Sequence, residues 1–191
     1  MTRRALLFSL AVSSGETLTL PVHLVTDTKS YRARSFEPGI WQEAARDLRR
    51  CGIGLEVTRA TGEVGKPSQR EPVITGLARN KLNVVITDQI PMYWDHARAL
   101  NGVTLLYRGY HVCVIAMNWA HGHHLPFVSV NTCLHEILHA LLGDIFERRP
   151  PGWKGNLREV SVDVCATRMW LFGDRGAIRD AAQSYLQRLS A

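Results

Sequence analysis

Five consecutive residues, His135-Glu136-Ile137-Leu138-His139, carry the strongest chemical signal in this chain of 191 residues. On a helix, side chains four positions apart stack on one face, so both imidazoles can reach a single cation. Zinc suits such a pair, because it accepts neutral imidazole nitrogen and, with three protein ligands, keeps a fourth position for water. The ion draws the pKa of that water down toward about 7, and a neighbouring carboxylate can take its proton as the oxygen attacks a carbonyl. Glu136 is placed for that work, as general base and then as proton donor.

A site of this kind needs a third protein ligand, and two candidates follow. Asp144 requires the chain to turn sharply after His139, which Gly143 could allow. Glu159 lies 20 positions beyond His139 and four before Asp163, so the two carboxylates share a helical face. In that arrangement Glu159 binds the metal, and Asp163 accepts the free N–H of a ligand histidine and fixes its tautomer. A plainer use exists for Glu159, since Asn156-x-x-Glu159 also reads as a capping-box helix start; it leaves Asp163 unexplained. The plain reading of the five-residue string itself is a pair of core or surface histidines beside an ordinary helix-forming glutamate.

The string His135-Glu136-x-x-His139 followed by Glu159-x-x-x-Asp163 resembles the gluzincin metallopeptidases, including the thermolysin-like enzymes. Glu159-x-x-Val162-Asp163-x-Cys165-Ala166 is also similar to a stretch of the small HExxH peptidases associated with mobile-element repressors. The resemblance covers residues 130–166 and implies a zincin-like fold, a zinc cofactor held by His135, His139 and Glu159, catalysis by Glu136, and a peptide or protein substrate. It further implies that the strand before the active helix, residues 111–117, lines the cleft and pairs with an extended peptide. The metzincin pattern fits less well, because Leu142 and Ile145 stand where it has glycine and a third histidine. No residue matches the tyrosine or histidine with which many such enzymes steady an oxyanion.

The elements that must position these residues can be read from periodicity. Residues 130–142 form the clearest helix, with Asn131 or Thr132 as N-cap, Gly143 as stop, and an apolar stripe of Leu134, Ile137, Leu138, Leu141, Leu142 and Ile145. Pro150-Pro151-Gly152 breaks the chain, and helices follow over about 156–171 and 177–189. Upstream, residues 18–25 alternate as a strand in which Pro21 suggests an edge or a strand start. Ile40, Trp41, Ala44, Ala45, Leu48 and Cys51 then recur at helical steps up to Gly52. Strands are expected at 53–57, 82–87, 103–107 and 111–117, with a loop over 61–72. The expectation is one α+β domain over 18–191, a mixed sheet with a packed helix in its N-terminal half and helices in its C-terminal half.

Composition narrows the classes. Hydrophobic residues at 46% and charged residues at 21% place the chain among globular proteins rather than disordered ones. The formal charge of +6 is spread over scattered arginines, which favours a solvated basic surface over a nucleic-acid groove. Residues 1–17 have the order of an export signal, Arg3-Arg4 before an apolar stretch and Ser13-Ser14-Gly15, with a buried first strand or helix as the alternative. No other stretch is apolar enough to span a bilayer, and a monomer is expected. Cys51, Cys113, Cys133 and Cys165 form no CxxC pair and read as small core residues or, after export, as disulfide partners. His121-Gly122-His123-His124 reads as a solvated turn or a second metal site, and Trp94, Trp119, Trp153 and Trp170 as core or cleft-wall residues. Two other functions compete with hydrolysis: a non-catalytic zinc or peptide-binding protein, and a regulatory DNA-associated HExxH protein.

Overall fold

The computed structural model describes residues 17–65, 73–88, 102–116, 131–152 and 161–190, with backbone alone at 32–40 and 161–165. Strand β1 (Leu18–Asp27) leads through helix α1 (Tyr31–Arg50) to a parallel neighbour β2 (Ile53–Gly62). A short ribbon follows, β3 (Val64–Gly65) against β4 (Val73–Ile74), and then β5 (Leu82–Thr87), which pairs parallel with the other side of β1. Strands β6 (Gly102–Tyr107) and β7 (Tyr110–Ala116) form a hairpin whose two-residue turn puts Arg108 and Gly109 at φ of 49° and 82°. That is the turn geometry matching the twist of antiparallel strands. The chain ends in helices α2 (Thr132–Leu142), α3 (Ile145–Arg148), α4 (Ser161–Gly173) and α5 (Arg175–Leu189).

The five main strands run in the order β2-β1-β5-β7-β6, all parallel except β6. This is the mixed α+β architecture expected from the sequence. Alternation assigns Leu20, Val22, Leu24, Val84, Ile86, Cys113 and Ile115 to one face, where they meet Leu48 of α1, Leu134, Ile137 and Leu138 of α2, and Ile178, Ala182 and Tyr185 of α5 in a single buried cluster. The opposite face holds a smaller cluster built from Val25, Ile74, Val85, Tyr107, Val112 and Val114. Central strand β5 is buried at all six positions, as expected of a strand covered on both faces.

Three sequence expectations change. Strand β1 is internal rather than an edge; Pro21 sits one residue short of Val22, where β5 begins to pair, so the missing N–H falls where β1 has only β2 beside it. Helix α1 begins at Tyr31, nine residues before its apolar periodicity starts, and crosses Pro38 and Gly39. The strand expected to pair with a peptide, residues 111–117, corresponds to β7, and both edges of β7 are already taken, by β5 and by β6. The outer edge next to α2 belongs to β6, which pairs with no second strand among the described residues.

Candidate metal centre

Helix α2 is fixed at both ends by local chemistry. Asn131 is its N-cap, accepting the Leu134 N–H at 2.9 Å. Gly143 ends it at φ 58° and ψ −138°, a conformation that a residue with a Cβ rarely adopts, while its N–H bonds the His139 carbonyl at 2.8 Å. Ile137, Leu138 and Leu141 bury the inner face, which leaves His135 and His139 half-buried on the side turned toward α3 and α4. Ile145 departs from the expected stripe, since it lies past the turn and is 44% exposed.

Helix α3 is one turn long, and Phe146 anchors it. The Phe146 ring is fully buried and meets both imidazoles edge-on, at centroid distances of 4.9 Å to His135 and 4.5 Å to His139. Its carbonyl accepts the indole N–H of buried Trp170, on α4, at 2.7 Å. With Phe146 locked, the next side chain is carried back over α2. Glu147 Oε1 lies 3.0 Å from His139 Nε2 and 3.5 Å from His135 Nε2. The donor atoms of His135, His139 and Glu147 all fall within 4.8 Å of one another. Ligands about 2.0–2.1 Å from a tetrahedral zinc ion stand about 3.3 Å apart, so the two glutamate–imidazole separations bracket the edge of such a site. Two imidazoles and one carboxylate are also a donor set found in catalytic zinc sites.

The electrostatics agree with a cation site. Hydrogen bonding from His135, then from His139, pushes the Glu147 carboxyl down to about 2, against a burial effect of opposite sign. The carboxylate is therefore ionised and available as a ligand at neutral pH. On the far side of His135, Nδ1 lies 2.9 Å from the hydroxyl oxygen of Thr167, a buried residue of α4. Were Nε2 to hold a cation, the ring proton would reside on Nδ1 and Thr167 would accept it, which would set the tautomer and the ring orientation.

Glu136 points to the other side of α2, onto the sheet. It is 5% exposed, and its Oε2 accepts the Thr104 hydroxyl of β6 at 2.7 Å, while the same hydroxyl lies 2.8 Å from the Glu136 carbonyl oxygen. The Cys113 thiol of β7 donates to that carbonyl at 3.3 Å. Burial raises the Glu136 carboxyl above its ordinary value; the Thr104 hydrogen bond and then the two imidazoles oppose the rise, and Glu147 adds to it.

The structure thus brings together His135 and His139 as expected and adds Glu147 and Thr167, whereas the Glu136 carboxyl lies on the sheet side of the same helix, against Thr104; the sequence alone singles out none of Glu147, Thr167 and Thr104. Asp144 is no part of the cluster; its side chain is 89% exposed and faces Arg148 at 3.8 Å. Glu159 lies outside the described residues, as do His121, His123, His124, Trp94, Trp119 and Trp153, and at Asp163 the backbone of α4 alone is described. Cys51, Cys113 and Cys133 are buried free thiols. One signal for Glu147 was available: the Gly143-Asp144 turn that was used to bring in Asp144 carries Glu147 with it, beside an aromatic residue that must be buried. No protein-family model, no curated protein and no solved structure matches the chain.

Proposed function

We propose that this chain is a zinc-dependent metallopeptidase, in which His135, His139 and Glu147 hold the ion and Glu136 moves the proton. The observation that carries the reading is the group formed by two imidazoles of α2 and the Glu147 carboxylate of α3, whose donor atoms lie within 4.8 Å of one another with the carboxylate oxygen 3.0 and 3.5 Å from the two imidazole nitrogens, beside a buried glutamate on α2. Zinc held by His135, His139 and Glu147 would supply Lewis acidity and would acidify water. Glu136 accepts the proton of the attacking water and delivers it to the departing amine. Thr167 holds His135 in its ligand tautomer, and Phe146 packs both imidazoles against the core. An extended peptide adds to the outer edge of β6, which pairs with no second strand among the described residues and whose Thr104 holds Glu136. No described helix is long and apolar enough to cross a membrane, and the order of residues 1–17 supports action after export.

The test is elemental zinc content together with cleavage of a mixed peptide library, for wild type and for Glu136→Gln, Glu147→Gln and Glu159→Gln. The reading expects about one zinc per wild-type chain and cleavage; zinc without cleavage in Glu136→Gln; and loss of both in Glu147→Gln. Zinc loss in Glu159→Gln with retention in Glu147→Gln would hand the third ligand to Glu159. Loss in both would describe a site closed by four protein ligands, which has no water position and matches a structural zinc protein.

A further inference from the structure

The described surface of β6 that faces α2 is made by Gly102 and Thr104, and both residues bear on one side chain. A Cβ added at Gly102 would stand 2.6 Å from both Cγ and Oε1 of Glu136 and 2.8 Å from Cγ2 of Thr132, closer than unbonded atoms tolerate. A side chain at position 102 would therefore displace the Glu136 carboxyl from this rotamer. Two residues along, the Thr104 hydroxyl engages Oε2 at 2.7 Å and the Glu136 carbonyl at 2.8 Å, tying side chain and helix backbone to one strand atom. Strand periodicity puts both residues on the same face, so the cradle and the tie act together.

We propose that Gly102 and Thr104 are positioning residues for Glu136: glycine shapes the space that Oε1 occupies, and threonine holds Oε2, so that the rotamer of the proton-transferring carboxyl is set by the strand on which the peptide lies. This rests on the metallopeptidase reading above. It links substrate and catalyst through one element. A peptide that adds to the outer edge of β6 meets the strand whose inner face holds Glu136, and a shift of that strand moves the carboxyl with it. Misplacing a catalytic group by about 1 Å can cost on the order of 100-fold in rate, so a hydroxyl that sets its position has leverage out of proportion to its own bond strength.

The experiment compares full-length, zinc-loaded wild type with Thr104→Val, Thr104→Ser and Gly102→Ala for zinc content, kcat and KM. It adds the Glu136 side-chain carboxyl resonance, by 13C NMR, in the metal-free proteins. Valine keeps the shape of threonine and removes the hydroxyl. Thr104→Val should retain zinc and KM within about twofold and lose kcat by about 10- to 100-fold; Thr104→Ser should restore kcat to within about threefold; Gly102→Ala, with the hydroxyl intact, should lose kcat as Thr104→Val does. The Glu136 resonance should move in Thr104→Val and Gly102→Ala and stay in Thr104→Ser. The proposal is overturned if Thr104→Val keeps wild-type kcat, or if kcat falls only in step with zinc or folded protein. A wild type that binds zinc and cuts no peptide overturns the metallopeptidase reading and this role with it, whereas an active wild type with indifferent Thr104→Val and Gly102→Ala variants overturns the positioning role alone.

Discussion

The link between His135 and Thr167 gives the sharpest quantitative prediction. Thr167 is 2% exposed and its hydroxyl oxygen sits 2.9 Å from His135 Nδ1, so Thr167→Val removes one acceptor with almost no change of volume or packing. Two effects follow, and they differ in size. In the metal-free protein one neutral hydrogen bond is lost, about 0.5–1.5 kcal/mol of stability. In the zinc form the ring also loses the partner that fixes its tautomer and raises its basicity, which typically weakens metal binding by about 10- to 100-fold. At 1.36 kcal/mol per decade this is about 1.4–2.7 kcal/mol. The assay is competition for zinc with a chromophoric chelator at neutral pH, alongside urea unfolding of the metal-free proteins. Thr167→Ser, which keeps an acceptor, should stay close to wild type. Equal zinc affinity for Thr167→Val and wild type would refute the reasoning, because it would mean that His135 either is no ligand or binds through Nδ1 with its ring reversed.

Three further outcomes are expected. Phe146→Ala removes a fully buried ring that touches both imidazoles, so urea titration should show about 3–5 kcal/mol of lost stability, with weaker zinc binding; a loss under about 1 kcal/mol would mean that α3 is not anchored there. Burial pushes the Cys51 thiol up to about 11 and the Cys133 thiol up to about 12, from an ordinary 9.0. Both pKa values are raised on folding, so their stabilising contribution is complete below the unfolded value and is lost as pH rises through 9 toward 11 and 12. In a Cys165→Ser background a thiol reagent at pH about 8 should label no cysteine until the protein unfolds, and rapid native labelling would contradict the burial. The buried Tyr185 hydroxyl finds no hydrogen-bond partner among the described residues. Tyr185→Phe should therefore leave thermal stability equal or raise it by about 1 kcal/mol, and a marked loss would reveal a partner.

Much of this fold can be read from periodicity, and much of the site cannot. The α2 stripe, its Asn131 cap and its Gly143 stop are strictly local, so the helix and its two histidines were legible within a dozen residues. The apolar runs of β5, β6 and β7 were equally legible as strands, but their order was not. Whether β6 or β7 forms the edge depends on which one β5 reaches, a long-range choice that two similar apolar strands do not encode. Pro21 misled for the same reason, since it signals a local gap in pairing and not the position of the whole strand. Glu147 was only partly legible: the glycine turn and Phe146 can be read locally, but the way Trp170 of α4 locks Phe146 and carries Glu147 back over α2 cannot. Thr104 and Thr167 were hidden because a threonine in a strand or helix has no distinctive spacing. Such residues become visible only when two elements distant in sequence are packed together.

The three proposed donors all lie within residues 135–147, whereas the residues that orient them or Glu136, at 102, 104 and 167, lie 31 or more positions before or 20 positions after that span. Loop-closure entropy grows with chain length, so the ligand loop costs little to close and can form before the sheet does. On the proposed reading an unfolded chain would therefore retain some affinity for zinc, and the ion would stabilise the fold only by the ratio of its affinities for the folded and unfolded states. That ratio measures what the distant threonines and the core contribute. A peptide of residues 131–152 would bind zinc as the unfolded chain does, and the gap between its dissociation constant and that of the whole protein is the preorganisation that the rest of the fold supplies.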